Sequence, residues 1–585
     1  MDRCLVLLLA LLASFIFFGP VRTLTLDYAS SPQALPRQAE RAKKSSCRCF
    51  PGDACWPEPN AWDAFNRTLG GKLIATIPIA APCHNEAFPP YDAARCDTLR
   101  NVYFFPETHL ENPSSIMAPF FTNNTCNPFL PASVPCTLGY YVSYAVRASD
   151  ASDYQKTIAF TNKHNIRLVI RNTGHDYNGK STGAGAVSIW THNMKSIELK
   201  DYRSLSFTGK AMKMSAGVEV KEAYEFADSK GIMVVGGNGP TVGIVGGYTQ
   251  GGGHGPLVSK FGLAADQVLE WEVVTAAGRL LTATPDQNQD LYWALCGGGG
   301  GTYGAVVSLT AKTYPATTVS SVSISFTNTG NNADEFYDAV GTLVKSLPSM
   351  VDAGAVVIWL VTPQAFLVEP ATAPGVSKAD LDKLFQPLID NLQGNAVPYT
   401  YMSQEYPTYL QSYNATNAPW NVSQNQLGGR LIPRSLIEKD PESFMAALRN
   451  IVDSGIIFSG VSFNVAKSVS SPDAIGANPY WRQTLFSAVL GTPYSFTDEP
   501  ANIRYQKQMT DDLLPQLERL TPNGAAYLNE ADFRQPDWKP VFYGSHYDRL
   551  NKIKARYDPD DRFYALQAVG SDRWAQQLDG RLCKV

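Results

Sequence analysis

Three glycine-bearing segments constrain this chain more than any other feature of its sequence. They are Arg-Asn-Thr-Gly-His-Asp at 171–176, the stretch from Gly236 to Gly255, and the run from Gly297 to Gly304. Glycine inside a regular element costs roughly 0.5–1 kcal/mol relative to alanine, so this density indicates backbone that must approach a ligand closely. Successive amide groups in such turns form concave sites for anions. A tight turn in a β-rich protein explains any single segment, but three together are harder to explain that way.

The run at 299–304 formally satisfies the G-x-G-x-x-G fingerprint of dinucleotide-binding Rossmann domains. That fingerprint needs a strand before it and a helix after it. Here a helix-like segment, Leu291 to Leu295, precedes the glycines, and a β-rich segment, Ala305 to Thr313, follows them. The sequence therefore argues against a nicotinamide-binding Rossmann domain.

Length and composition indicate a globular protein of at least two domains. The chain has 585 residues, and a single hydrophobic core stops growing at roughly 250–300 residues. Hydrophobic residues make up 44% of the chain and charged residues 17%, far from the composition of disordered chains. A formal net charge of -4 without clustered Lys and Arg argues against a nucleic-acid partner.

Residues 1–24 are typical of a secretory signal peptide. Asp2 and Arg3 precede an apolar run from Leu5 to Phe18, and the chain turns polar after Gly19-Pro20. A membrane span needs about 20 apolar residues, so an uncleaved signal anchor is the less favoured alternative. We expect a secreted protein without a membrane span once the signal is removed.

The number and spacing of the cysteines agree with secretion through an oxidising compartment. Of the 10 cysteines, Cys4 lies in the signal, which leaves nine, so at least one is expected to be unpaired. Most lie at 47–136, which predicts a disulfide-stapled segment; a zinc site at Cys47 and Cys49 is disfavoured because no second close pair or neighbouring histidine accompanies them. We expect no metal. Four glycosylation sequons agree with secretion and begin at Asn66, Asn123, Asn414 and Asn421.

Local patterns predict strands with a few helices and no regular βαβ repeat. The segment 25–136 is rich in Pro and Cys and is expected to be irregular. An Asn-rich stretch around 414–426 is expected to be a surface loop. Strands are predicted at 166–170, 186–190, 212–216 and 355–361, a hairpin at 269–275 and 279–284, and helices at 220–230, 290–295 and 378–392.

His175 is the candidate reactive side chain of the first glycine segment. It follows a predicted strand and Gly174, a tight turn that would hold the imidazole beside the glycine loops. A neutral imidazole nitrogen is a nucleophile, which is what attack on an activated flavin methyl group demands. Considered alone, a histidine after a strand is more often a hydrogen-bonded polar residue.

Ordered motifs lie along the chain at 171–176, Gly239-Pro240-Thr241-Val242-Gly243, Gly246-Gly247, Gly251 to Gly255, Tyr292-Trp293-Ala294-Leu295, the lead-in at 47–52, and Tyr557-Asp558-Pro559. Together they resemble the berberine-bridge-enzyme-like branch of the vanillyl-alcohol-oxidase flavoproteins, in particular secreted fungal members called isoamyl alcohol oxidases. The resemblance covers nearly the whole mature chain. It implies an α+β fold, with a two-part PCMH-type FAD-binding domain at 137–316 and 521–585 and an inserted substrate domain at 317–520.

The resemblance also implies the cofactor and its ligands. FAD would be linked through its 8α-methyl group to His175. Many relatives add a second link through a cysteine where this chain has Gly239, so single attachment is implied. The further cofactor-binding residues expected are Arg171, Asn172, Thr173, Gly174, Asp176, Gly239, Pro240, Thr241, Val242, Gly243, Gly246, Gly247, Gly252, Gly253, His254 and Val307.

The family's reaction class follows in the same way. In the family, a valine at the position of Val242 is associated with access of oxygen to the flavin, which favours an oxidase. The simpler interpretation of Val242 is a packed aliphatic residue. The expected reaction moves hydride from an alcohol carbon of a small molecule to flavin N5 and then to O2, giving H2O2. Tyr527, in the segment 526–532, resembles the family's base, although a phenol with an ordinary pKa near 10 needs help from its neighbours.

Two other functions stay open at this point. One is a flavin-dependent cyclase or desaturase of a secondary metabolite, using the same His175 linkage. The other, from a different class, is a secreted flavin-binding protein without turnover, which intact glycine loops make the weaker reading.

Overall fold

The computed structural model of the protein describes residues 47–86, 88, 90–466, 468–469 and 471–585. The predicted signal peptide at 1–24, with Cys4, lies outside the described residues. Within the described ranges no helix combines the length and the apolar character needed to cross a bilayer. The fold is mixed α and β, as the sequence predicted, and it is built on three main sheets.

The first sheet carries the loop that contains His175, between its strands Leu168–Arg171 and Val187–Trp190. Its strands are β1 (Leu73–Ala75), β2 (Tyr144–Arg147), β3 (Leu168–Arg171) and β4 (Val187–Trp190), in the order β1-β2-β4-β3. Strands β2 and β3 run parallel to β4, and β1 is antiparallel to β2. The helix Ala151–Lys163 joins β2 to β3 and begins at Asp150, whose carboxylate accepts a hydrogen bond from Asp153 N.

The second sheet is antiparallel, and the third glycine segment leads directly into its strand β10 (Ala305–Lys312). Strand β10 is its centre and is buried except for its last residue, as expected of a strand with neighbours on both sides. Its order is β5-β6-β10-β8-β9, and the short strands β7 and β11 pair separately. The ranges are β5 (Ile197–Arg203), β6 (Thr208–Ser215), β7 (Ile232–Met233), β8 (Val268–Val274), β9 (Leu280–Ala283), β10 (Ala305–Lys312) and β11 (Tyr314–Pro315).

The third sheet has seven antiparallel strands and lies within residues 319–493. Helices Ala333–Asp352, Lys378–Gly394 and Pro441–Asp453 bury their apolar side chains in one core with this sheet. The order is β15-β12-β14-β13-β17-β18-β16. The ranges are β12 (Val319–Thr327), β13 (Val356–Val361), β14 (Ala365–Pro374), β15 (Tyr399–Tyr406), β16 (Asn425–Pro433), β17 (Ile457–Ser462) and β18 (Thr484–Pro493).

The end of the chain returns to the first two sheets. A small hairpin of β19 (Trp574–Gln576) and β20 (Leu582–Lys584) follows the helix Tyr547–Tyr557. The other α-helices of the described residues are Pro59–Thr68, Ala93–Val102, Glu107–Leu110, Val220–Ser229, Val258–Phe261, Gln289–Leu295, Tyr409–Thr416, Arg434–Lys439, Glu499–Gln508, Leu514–Leu520 and Trp538–Tyr543.

Four disulfides staple the described residues, and the predicted odd cysteine is Cys296. The pairs are Cys47–Cys583, Cys49–Cys55, Cys83–Cys96 and Cys126–Cys136. Cys47 and Cys49 are thus oxidised rather than free thiolates for zinc. Cys296 is buried, and its sulfur accepts a hydrogen bond from Trp271 Nε1 at 3.4 Å.

Two expectations about irregular segments were incomplete. The segment 25–136 contains helices and contributes β1 to the first sheet, because its apolar side chains Trp62 and Phe65 pack on the sheet. The predicted surface loop at 414–426 is only partly at the surface: Val422 and Ser423 are buried. Among the sequons, Asn414 and Asn421 are exposed, whereas Asn66 and Asn123 are partly buried.

Candidate functional site

The described residues enclose a cavity of about 400 Å³ between the glycine loops and the seven-stranded sheet. All three glycine segments border it, as do strands β13, β16, β17 and β18 of the third sheet and the segment 527–530. The sheet presents mainly apolar side chains: Ile358, Leu427, Ser459, Val461 and Val489. Of the predicted site residues, those that border the cavity are Asn172, Thr173, Gly174, His175, Asp176, Gly239, Val242, Gly243, Gly246, Gly247, His254 and Tyr527.

His175 leaves strand β3 through a turn that only glycine permits. Gly174 has a φ of +89°, and a Cβ there would lie 2.8 Å from the carbonyl oxygen of Ser115. Nε2 of His175 lies 2.6 Å from Thr241 Oγ1, whereas Nδ1 is shielded from solvent and has no hydrogen-bond partner among the described residues. Burial, with His109 and Arg171 as lesser causes, lowers the pKa of His175 to about 3. The imidazole is therefore neutral, with an unused nitrogen.

Arg171 and Asp176 hold the two ends of this loop. The Arg171 guanidinium donates to the carbonyl oxygens of Ser115 and His109, each at 2.8 Å, and it does not border the cavity. Burial lowers its pKa to about 9. The Asp176 carboxylate accepts hydrogen bonds from the backbone amides of Asn178, Lys180 and Ser181. Both charged side chains thus shape the loop that presents His175.

The second glycine segment borders the cavity and contacts His175 through Thr241. At Gly246 and Gly247 no atom lies within 4 Å of where a Cβ would be, so backbone rather than side chain faces the open space. At Gly243, by contrast, a Cβ would meet the side chain of Asn172. Pro240, Gly252, Gly253 and Val307 do not border the cavity; their carbonyl oxygens accept hydrogen bonds from Lys221, Ala265, Ala264 and Ala216.

A polar group lies at the other side of the cavity, around Tyr527. The Tyr527 hydroxyl accepts a hydrogen bond from Asn529 Nδ2 at 2.8 Å. His254 Nε2 lies 2.9 Å from Glu530 Oε2, and its ring packs edge-on to Tyr527 with centroids 5.2 Å apart. Burial, and next the charge of Glu530, raise the pKa of Tyr527. The phenol therefore stays protonated at neutral pH.

Trp420 covers His175 from the inserted part of the chain. The two rings stack at 19° with centroids 5.6 Å apart. The Trp420 indole also occupies the space beside Gly239, where a Cβ would lie 2.8 Å from Trp420 Cζ2. This contact comes from the stretch that the sequence had assigned to a surface loop.

Comparison with known proteins identifies the family. A family model described as an FAD binding domain matches residues 142–284, and another, described as berberine and berberine like, matches residues 526–570. FAD-linked oxidoreductase sor8 of Hypocrea jecorina is 44% identical over 97% of this chain and 98% of its own length. The chain belongs to the berberine-bridge-like branch of the vanillyl-alcohol-oxidase flavoproteins.

Two further relatives bear on this flavoprotein. The bifunctional decalin synthase calF of Penicillium decumbens is 39% identical over 94% of this chain and 96% of its own length. The crystal structure of the VAO-type flavoprotein MtVAO615 from Myceliophthora thermophila C1 superposes with a TM-score of 0.87 at 39% identity, covering 92% of this chain and 100% of that one. The protein is thus an FAD-linked oxidoreductase with an FAD-binding domain.

The cavity of this flavoprotein fits a large polar cofactor. Among the described residues that border it, five carry a buried polar atom without a hydrogen-bond partner: Asn172 Oδ1, His175 Nδ1, Tyr248 OH, Gln250 Oε1 and Trp420 Nε1. Buried polar groups are nearly always paired in folded proteins, so an unpaired set around one cavity indicates a ligand with several donors and acceptors. The flavin ring and ribityl chain of FAD offer both kinds.

Sequence reasoning missed several residues of this site. Trp420 lies in an Asn-rich stretch without periodicity, and nothing local predicts that it returns to His175. Tyr248 lies inside the second glycine segment but carries no motif of its own. Glu530 lies in the segment quoted for Tyr527, three residues along the chain, and its pairing with His254 spans 276 positions.

Proposed function

We propose that this oxidoreductase is an oxidase that acts on an alcohol carbon of a small molecule. When bound in the cavity, FAD would supply an acceptor for hydride from the substrate, and O2 would take up the electrons and become H2O2. The observation that carries the proposal is the neutral His175 imidazole with its unpartnered Nδ1 at the edge of a glycine-lined cavity.

His175 is the proposed point of covalent attachment. A nucleophilic nitrogen must be unprotonated, and the low pKa of His175 meets this condition at any pH of biological interest. Thr241 Oγ1, at 2.6 Å from Nε2, orients the ring so that Nδ1 is the free nitrogen. The chain has Gly239 where a second link would need a cysteine, so a single bond is proposed.

Support for the oxidase reaction comes from the residues around the proposed flavin. Val242 borders the cavity with a small aliphatic side chain, which leaves room for O2. Tyr527 is the proposed catalytic residue at the substrate. Because its pKa is raised, we assign it a hydrogen bond to the substrate oxygen and not the role of a free-standing phenolate base.

The test is the flavin content of acid-precipitated protein. We expect the wild-type pellet to keep its yellow colour and a His175→Ala variant to lose it, because the variant has no nucleophile at this position. A His164→Ala variant, altered at a histidine outside the cavity, serves as the matched control and keeps the colour. A colourless wild-type pellet from folded, FAD-supplied protein would rule out the covalent link.

A second candidate is a flavin-dependent cyclase or desaturase of a secondary metabolite. The decalin synthase calF, a relative over nearly the full length of both chains, favours it. Peroxide release measured with a panel of primary and secondary alcohols separates the two. Formation of a carbonyl product with stoichiometric H2O2 supports the alcohol oxidase, whereas a cyclised or desaturated product supports the alternative.

We further propose that the protein is secreted and glycosylated, with two-part cofactor binding by 137–316 and 521–585 and substrate binding by 317–520. Four disulfides suit an oxidising compartment. Exposed Asn414 and Asn421 are the sequons best placed to carry a glycan. The two matched family models lie in the proposed cofactor-binding parts.

A further inference from the structure

Oxidation of an alcohol needs a group that takes the hydroxyl proton, and the cavity offers few candidates. His175 is the proposed link to FAD, and the Asp176 carboxylate is engaged by three backbone amides. Burial lowers the pKa of Lys180, the charge of Asp176 opposes that shift, and both side chains belong to the His175 loop. Burial raises the pKa of each of the tyrosines that border the cavity, which keeps them protonated: Tyr177, Tyr248, Tyr527 and Tyr564.

The remaining titratable residues that border the cavity, His254 and Glu530, form a pair. The two come from different parts of the chain, the second glycine segment and the segment after Tyr527. Their contact, 2.9 Å between Nε2 and Oε2, lets the carboxylate accept a hydrogen bond from Nε2–H. That tautomer leaves the lone pair on Nδ1, and the nearby negative charge stabilises the imidazolium that forms when Nδ1 takes a proton.

Aromatic side chains pack around the His254 ring. The ring packs against Phe463 and Trp481, each with centroids 6.2 Å away, and against Tyr527 at 5.2 Å. The charged partner described for His254 is Glu530, whose side chain keeps 25% of its exposure. This aromatic wall fixes the plane of the imidazole while the carboxylate fixes its tautomer.

We propose that His254 is the proton acceptor of the reaction, with Glu530 as its positioning residue. This inference rests on the proposed oxidase function. The substrate O–H bond breaks, its proton passes to His254 Nδ1, and its electron pair forms the carbonyl π bond as the carbon releases hydride to the bound flavin. Tyr527 hydrogen-bonds to the same oxygen as a neutral phenol. The arrangement resembles other histidine bases, which a carboxylate holds in one tautomer.

A coloured phenol tests the proton transfer without turnover. 4-Nitrophenol absorbs visible light strongly only as the phenolate, so we add it to the flavin-loaded protein at a mildly acidic pH and record the difference spectrum. We expect a phenolate band with the wild type and its loss in His254→Gln and Glu530→Gln. The matched control is His546→Gln, which alters a histidine paired with Asp473 at 2.8 Å outside the cavity, and it keeps the band. No wild-type band, or an unchanged band in His254→Gln, overturns the proposal.

The rate of flavin bleaching under anaerobic conditions gives a second readout, with benzyl alcohol as the first probe of an alcohol panel. A general base contributes about 10²–10⁴-fold, so His254→Gln should slow bleaching at least roughly 100-fold. In Glu530→Gln the acid limb of the rate profile should move to lower pH, because the imidazolium loses its counter-charge. An equal slowing at every pH contradicts the role given to Glu530.

Failure of the inference is distinguishable from failure of the proposed function. Acid-stable flavin depends on His175 and is measured on the same samples. If all variants carry flavin and the wild type oxidises an alcohol, but His254→Gln does so at the same rate, the oxidase stands and the base lies elsewhere. If the wild type carries no flavin, the oxidase proposal itself fails.

Discussion

At Gly239 a missing side chain decides the surroundings of His175. The indole of Trp420 occupies the volume that a side chain at 239 would need, and Val242 Cγ2 lies 2.9 Å from the position of a Cβ there. The same indole stacks on His175. The Trp420 ring can therefore lie over His175 only because residue 239 has no side chain.

We expect Gly239→Ala to lower the free energy of unfolding by about 1–3 kcal/mol, the usual cost of overpacking. In a Trp420→Ala background the same change should cost less, because the indole atoms are gone and Val242 Cγ2 is the close contact that remains. Urea unfolding of the four proteins in this double-mutant cycle measures the coupling. Additive effects would show that the methyl group is accommodated without moving Trp420.

Burial of the Asp532 carboxyl group makes the stability of the fold depend on pH. It is 2% exposed, and it accepts hydrogen bonds from Thr510 Oγ1 at 2.5 Å and from Arg534 N at 2.8 Å. Burial outweighs these bonds and raises its pKa to about 6. Asp561 has the opposite balance: burial raises its pKa, but Arg573 and Trp574 lower it more, so the net shift is downward.

Because the folded-state pKa of Asp532 is raised, the protonated form stabilises the fold at low pH. That contribution is present below about pH 4 and is lost as the pH rises through about 6, with a total of roughly 3 kcal/mol. The amide of an Asp532→Asn variant cannot ionise, so this contribution is not lost as the pH rises. The free energy of unfolding of the variant should therefore increase relative to that of the wild type between about pH 4 and about pH 6. Chemical unfolding at a series of pH values measures it. The control Asp561→Asn has the opposite sign, losing stability relative to the wild type as the pH rises.

At the scale of elements, the helix Tyr547–Tyr557 ties the C-terminal segment to the third glycine run. The Lys554 ammonium donates to the carbonyl oxygens of Thr302 and Phe563, at 2.8 and 2.6 Å, and to Asp558 Oδ2 at 2.5 Å. Both members of the ion pair are buried, with exposures of 1% and 0%. The Lys554 side chain thus connects the third glycine run to its own helix and to the residues that follow that helix.

We expect Lys554→Met to lower the free energy of unfolding by roughly 3–5 kcal/mol, because it leaves the Asp558 carboxylate buried without its cation. Denaturant unfolding followed by tryptophan fluorescence measures the loss. Lys539→Met is the control: its pair with Asp572 is 40% and 44% exposed, and its removal should cost less than about 1 kcal/mol. Equal costs for the two variants would contradict the assigned role of Lys554.

For the whole molecule, the disulfide Cys47–Cys583 joins the two ends of the described chain across 536 positions. A bridge restricts the unfolded chain more as the closed loop lengthens. The bridge Cys49–Cys55 spans only 6 positions and offers a comparison within the same segment.

Replacing Cys47 and Cys583 with serine should lower the free energy of unfolding by roughly 2–5 kcal/mol. The same double change at Cys49 and Cys55 should cost less, because its loop is short. Thermal unfolding of both variants under non-reducing conditions tests this order. A larger loss for the short loop would show that native-state strain or packing, and not loop closure, dominates.

Periodicity and turn residues predicted several of the strands and helices, and the flavin-binding class followed from the resemblance of the ordered motifs to a family. The helix predicted at 378–392 is Lys378–Gly394, and the hairpin around Gly278 is β8 and β9, because amphipathic spacing and turn residues act over short distances. Family and fold were likewise confirmed by the comparisons. The roles given to His175 and Tyr527 stay predictions.

By itself, then, the sequence determined the local elements, the glycine loops and the position of His175 after β3, since each depends on neighbouring residues and backbone conformation. Only the tertiary structure decided that Trp420 covers His175, that Glu530 pairs with His254, and that burial keeps Tyr527 protonated. These contacts join residues hundreds of positions apart. They depend on the packing of the seven-stranded sheet and the C-terminal segment against the glycine loops, which no local pattern encodes.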